Sequence, residues 1–164
     1  MIDNKWFCEP DPFREKYCFF YLHTKPKGEK QTIKGWKSGI GNMDGIVHHN
    51  QSPNEDEHNI ITSIIPEIKA WRKKNILVIT YTEEKITLLR TMIATQNIDE
   101  INLSTVKSLS LEYIFDRYFS YQGDADIISW CNFLNINTEN SKETELIRII
   151  MQKLVRLIPE GEMP

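Results

Sequence analysis

Closely grouped carboxylates are candidates for general acid–base work or for holding divalent cations. This chain has three such groupings: Asp44 with Glu55, Asp56 and Glu57; Glu83 with Glu84; and Asp124 with Asp126. The first reads more simply as a turn followed by the charged start of a helix. Glu83 and Glu84 suit the first helical turn after an apolar strand, where acids meet the positive end of the helix dipole. They also fall at the carboxyl end of that strand, where open α/β sheets tend to bind ligands. Asp124-Ala125-Asp126 has the form of a helix N-cap.

His48, His49 and His58 have no further ligand at a defined spacing, so solvent-facing imidazoles are the simpler reading. Cys8, Cys18 and Cys131 are odd in number and lack CxxC spacing, which argues against a disulfide framework and a zinc cage. Walker A loop, dinucleotide-binding glycine fingerprint and nucleophile elbow are all missing from the sequence.

A basic stretch offers different chemistry. Lys25, Lys27, Lys30, Lys34 and Lys37 flank Trp36 across a predicted hairpin. Lysines there can neutralise phosphates, and an exposed tryptophan gives a base a surface to stack on. The competing reading is a solvated hairpin whose lysines discourage edge-to-edge association while Trp36 turns inward.

The chain has 164 residues, enough for one domain to bury a core without staples. Its composition, 40% hydrophobic and 26% charged, is that of a globular protein. No apolar run approaches the roughly 18 residues needed to span a bilayer. The N-terminal residues lack the apolar core of a signal peptide, so a soluble, cytoplasmic protein without membrane contact is expected. Net charge is −3 and unevenly placed: residues 1–42 carry eight Lys/Arg against five Asp/Glu, and residues 99–164 carry six against eleven. A local basic face is compatible with that distribution.

The elements that must position these residues follow from periodicity. After an irregular lead-in over 1–14, Tyr17 to Leu22 is an aromatic run of strand length. Lys25-Pro26-Lys27-Gly28 supplies a turn, and further strands are expected over Gln31 to Ile40 and Gly45 to His49, completing an antiparallel meander. Ser52-Pro53-Asn54-Glu55 reads as a helix start, and Ile60, Ile61, Ile64, Ile65, Ile68 and Trp71 form one apolar stripe behind it. Asn75 to Tyr81 is the strongest strand signal, apolar enough for burial on both faces. A helix over Glu83 to Thr95, a short strand at Ile101 to Leu103, and helices over Leu109 to Tyr118, Ile127 to Leu134 and Ser141 to Leu157 follow. The last is expected to bury Leu146, Ile149, Ile150, Leu154 and Leu157. One α/β domain spanning 1–164 is the economical organisation.

Three strands, a helix, a buried strand and then several helices resemble the ribonuclease H-like fold of DEDD-type 3′–5′ exonucleases. The resemblance runs from about Tyr17 to Leu157, and Thr80-Tyr81 after the apolar strand is its sharpest local feature. It implies a mixed sheet with an N-terminal three-stranded antiparallel meander, a central buried strand and flanking helices. Those enzymes open with a strand ending in Asp-x-Glu-Thr. The matching stretch is Phe20-Tyr21-Leu22-His23-Thr24, so Tyr21 and His23 take the two acidic positions. The aspartate of their second motif falls at Thr87, and Glu143 or Glu145 stands near the third motif.

Two-metal phosphodiester hydrolysis needs several carboxylates converging on a pair of divalent ions. Tyr, His and Thr in those places leave little negative charge for Mg²⁺ or Mn²⁺. The resemblance therefore implies a catalytically degenerate exonuclease-like module without cofactor, working by single-stranded nucleic-acid binding or by binding a replication or repair protein. Two alternatives stay open. One is an active Mg²⁺- or Mn²⁺-dependent 3′–5′ exonuclease using Glu83, Glu84 and Glu143; the other is a structural partner protein without nucleic-acid contact.

Overall fold

Tyr17–Lys27 forms strand β1, and its burial alternates between two neighbours as the pleat requires. Tyr17 and Phe19 pack on one side of the sheet; Cys18, Phe20 and Leu22 pack on the other. The computed structural model describes residues 16–95, 106–119, 121–139 and 141–157. The expected lead-in over 1–14, Trp6, Cys8 and the expected strand Ile101 to Leu103 lie outside the described residues.

β1 turns at Gly28, whose φ of 64° lies in the left-handed region that glycine enters without penalty. It pairs antiparallel with β2 (Lys30–Asn42), and β2 pairs antiparallel with β3 (Gly45–Gln51). Gly41 sits where β2 and β3 close on each other, and a Cβ there would collide with the Gly45 carbonyl oxygen. On its other side β1 pairs parallel with β4 (Leu77–Thr80), which pairs parallel with β5 (Ser108–Ser110). The five-stranded order is β3-β2-β1-β4-β5.

Helix α1 (Glu57–Lys73) crosses from β3 to β4. Its isoleucine stripe and Trp71 are buried as the spacing predicts. The N-cap differs from expectation: Asp56, not Ser52, accepts from the Asn59 amide at 2.9 Å. Ser52 instead prolongs the sheet, its amide donating to the Trp36 carbonyl (2.9 Å) and its hydroxyl accepting from the Trp36 amide (3.0 Å). Asn75, at φ 53°, ends the helix, and the Ile76 amide reaches back to the Trp71 carbonyl at 2.9 Å, closing a left-handed C-terminal turn.

α2 covers Glu83–Thr95, with Leu89 and Ile93 buried. α3 (Leu111–Tyr118), α4 (Ile127–Phe133) and α5 (Glu143–Leu157) follow β5. Asp126 caps α4 as its sequence suggests, accepting from the Ser129 amide at 2.8 Å. α1 and α2 cover one face of the sheet and α3, α4 and α5 the other, so each face has its own apolar core. On α5 the inward stripe is Leu146, Ile147, Ile150, Met151 and Leu154. Leu157, expected inside, is 50% exposed because the last turn has run past the sheet. The described residues contain no helix long and apolar enough to cross a membrane.

Candidate functional site

The pleat aims Tyr21 and His23 to the α5 side of the sheet, because Leu22 between them is buried on the α1 side. Register places Lys37 opposite Tyr21 and Gly35 opposite His23. The pairing then slips: His23 faces Gly35 but Thr24 faces Ile33, which makes Lys34 the extra residue of a bulge. Beside it the N-terminus of α5 comes down on the strands. The result is an open cleft of about 340 Å³ lined by Tyr21, His23, Lys34, Lys37 and Glu143, with Gln51, Ser52 and Asn54 on its β3 side.

Among the described residues, Glu143 is the one acidic side chain lining this cleft, and it is already engaged. Lys37 Nζ donates to its carboxylate at 3.0 Å. Partial burial works to raise its pKa, but its own backbone N–H, the Lys37 ammonium and the His23 imidazole outweigh burial and hold it below the usual carboxylate range. Tyr21 goes the other way: partial burial first, and the Glu143 charge second, push its phenol up, so it stays protonated.

Aromatic stacking fixes Tyr21. Its ring lies 5.2 Å from that of Tyr81 and 6.4 Å from that of His23, both in stacked geometry. Tyr81, just past β4, donates its hydroxyl to the Leu22 carbonyl and so ties the ends of the two parallel strands together. Burial is the main reason the Tyr81 phenol is strongly raised, with Tyr21 and Glu84 adding to it. From α2, Lys85 reaches the same strand end and donates to Thr24 Oγ1 at 2.5 Å.

The residues singled out from sequence separate into four places. Tyr21, His23, Lys34, Lys37 and Glu143 share the cleft. Thr87 and Glu83 do not join them; they line a separate cavity of about 230 Å³ with Thr80, Arg90, Ser108 and Ser110, beyond β4. Glu84 is exposed on α2. Lys25, Lys27 and Lys30 are exposed on the hairpin.

Trp36 is a correction. It is 3% exposed, packed against α1, and its indole donates to Ser63 Oγ at 2.9 Å and to the Ile60 carbonyl at 3.2 Å. An inward ring on the α1 side cannot offer a face to a base, because strand alternation sends Trp36 opposite to Lys37.

Other candidates have structural roles. Asp56 caps α1, and Glu57 accepts from the Ile33 amide at 2.7 Å. Cys18 and Cys131 are buried, and burial pushes both thiols up, which leaves neither poised as a nucleophile. His48 and His49 are exposed on β3. Lys142, Gln51, Ser52 and Asn54 escaped the sequence reading. Gln51 ends β3 and the others lie in the links between elements, and only the predicted pairing of β2 with β3 hinted that this end of β3 would face Tyr21.

A pair of divalent ions requires several anionic oxygens converging at one point. The cleft offers one carboxylate, and a lysine already neutralises it. Among the described residues no group of three or more His, Cys, Asp or Glu is placed to hold a metal ion. Among the described residues, the side chains at this end of β1 therefore lack the converging carboxylates that a two-ion centre requires.

No family model matches the chain, and no curated protein is significantly similar to it. The fold has solved relatives. One is the nuclease domain of 3′hExo, a DEDDh family member determined with rAMP bound. It superposes with a TM-score of 0.61 at 8% identity, covering 94% of this chain and 97% of that one. Near-complete coverage of both chains, the mixed sheet and its flanking helices establish the architecture. This chain has the ribonuclease H-like fold of a DEDDh exonuclease domain.

Proposed function

We propose that this chain is a catalytically degenerate exonuclease-like module that binds nucleic acid without cleaving it, as an accessory component in replication or repair. One observation carries the reading: at the carboxyl end of β1 the cleft holds a phenol, an imidazole and a lysine–carboxylate pair. Such a set can hold an anion but cannot assemble two metal ions or activate water between them. The exposed lysines of the β1–β2 hairpin extend positive charge from the cleft edge. The similar nuclease domain takes rAMP, which supports a nucleotide-bearing ligand here.

The test has two arms. Titration calorimetry with Mn²⁺ is expected to show no binding, and a 5′-labelled single-stranded oligonucleotide is expected to stay intact with Mg²⁺ or Mn²⁺. The same oligonucleotide should bind in the presence of a chelator, with an affinity that falls steeply as salt rises. Shortening of the label, or a metal isotherm abolished by Glu143→Gln, would restore the active-enzyme reading. Absence of any nucleic-acid binding would leave a partner-protein role.

A further inference from the structure

A second cleft adjoins the first. It has a volume of about 190 Å³ and is lined by Lys37, His49, Asn50, Gln51, Lys142 and Thr144. Lys37 and Gln51 belong to both clefts, so the two are one continuous groove rather than separate hollows. It starts at the bulge residue Lys34, passes Lys37, and continues to Lys142 in the link before α5. Along it stand three lysines and two histidines against the single carboxylate of Glu143, which Lys37 already neutralises.

Spacing and chemistry both suit a phosphate backbone. From Lys34 to Lys37 the strand advances about 10 Å, at roughly 3.3 Å per residue, so the cations form a line rather than a point. Side-chain amides accompany them: Asn54 near one end, Gln51 at the junction and Asn50 near the other end, groups that donate to phosphate oxygens in nucleic-acid complexes. Tyr21, stacked between Tyr81 and the exposed His23, gives the first cleft an aromatic wall, and a base can stack there on the His23 ring. Among the described residues, Lys34 at one end and Lys142 at the other are both exposed, so solvent reaches the groove at both ends.

We infer that the joined clefts form a pass-through track that binds the interior of a single nucleic-acid strand, with Lys34, Lys37 and Lys142 on successive phosphates and no need for a free 3′ end. This rests on the nucleic-acid-binding reading above and adds to it how the strand is held. An enzyme that trims ends must recognise an end. A module freed from that chemistry can let the strand continue through.

The experiment compares a labelled linear single strand with a closed circular single strand of the same sequence and length, by fluorescence anisotropy in chelator. Equal affinities within about threefold are expected for the two. Lys34→Ala and Lys142→Ala, both at exposed positions, are each expected to weaken both ligands and to lower the salt slope by about 0.7, the value for one phosphate contact on a single strand. Binding of the linear but not the circular strand would overturn the track and leave the nucleic-acid reading standing. So would a Lys142→Ala protein that binds both strands as tightly as the parent. Failure of both strands to bind would overturn both.

Discussion

Two ion pairs stand on the first turns of α5, one crossing to β2 and one within the helix, and they differ most in the burial of their cations. Glu143 pairs with Lys37 across the cleft, and both side chains are more than a third exposed, at 38% and 41%. Two residues along, Glu145, whose side chain is 32% exposed, pairs with Arg148, whose side chain is only 10% exposed. The Arg148 fork holds Glu145 through Nε, at 3.1 Å from each carboxylate oxygen, and through Nη2. Its Nη1 donates to the Met43 carbonyl at 2.5 Å. Arg148 thereby fastens the last helix to the β2–β3 turn, 105 positions away in sequence. The Glu143–Lys37 pair joins α5 to β2 at the surface and does not seal the core. It sets the charge of a groove instead. Burial therefore separates a pair that serves the fold from one that serves the surface.

The largest effect should come from the buried pair. Arg148→Ala leaves the Met43 carbonyl without its donor and Glu145 without its partner. It is expected to destabilise by about 3 kcal/mol, read from urea unfolding, with oligonucleotide binding by the folded fraction unchanged. A loss below about 1 kcal/mol would erase the contrast between the pairs. Glu143→Gln should do the reverse. Its stability cost is expected to stay under about 1 kcal/mol, while removal of the negative charge frees Lys37 and tightens oligonucleotide binding severalfold at low salt. Weaker binding by that variant would mean that Glu143 serves the site in some way other than holding Lys37.

A smaller effect concerns pH. Glu143 is depressed in the folded chain, so its contribution to stability is fully present above the ordinary carboxylate range. It is lost as pH falls through the folded-state value. Both partners are more than a third exposed, so solvent screening keeps the loss within about 1 kcal/mol. A carboxyl-detected NMR titration should place the Glu143 midpoint below 4.5, and Lys37→Met should raise it. A midpoint at or above 4.5 would contradict the pairing. The smallest effect is a null shift. Metal bound only by the folded state at a hundred times its dissociation constant would add about 2.7 kcal/mol of stability, so the melting temperature is expected to stay put on adding Mn²⁺.

Much of the fold was legible because one-dimensional patterns carry it. The isoleucines of α1, the apolar run of β4 and the span of α2 follow from periods of 3.6 and 2 that local sterics impose. Strand order was not legible from these patterns; the pairings of the folded chain set it as β3-β2-β1-β4-β5. Boundaries slipped where long-range partners intervened. Ser52 reads as a cap from its neighbours, yet it spends its hydrogen bonds on Trp36.

The cleft was only half legible. Tyr21 and His23 could be placed from the resemblance, and the hairpin lysines from their charge. Whether Trp36 faces solvent or core depends on the parity of β2 against β1, and a strand's own sequence does not state which of its faces is covered. The bulge that makes Lys34 an extra residue shifts that parity again. Nor does any local signal bring Glu143 to Lys37, separated by 106 positions, or part Thr87 from Tyr21. The sequence by itself determined most of the helices and strands, though it read Leu109 and Ser110 of β5 as the start of a helix, and the match of Tyr, His and Thr to carboxylate positions came from the resemblance. Only the tertiary structure decided which polar side chains meet, because convergence depends on register, bulges and helix docking, and these are settled by packing between distant segments.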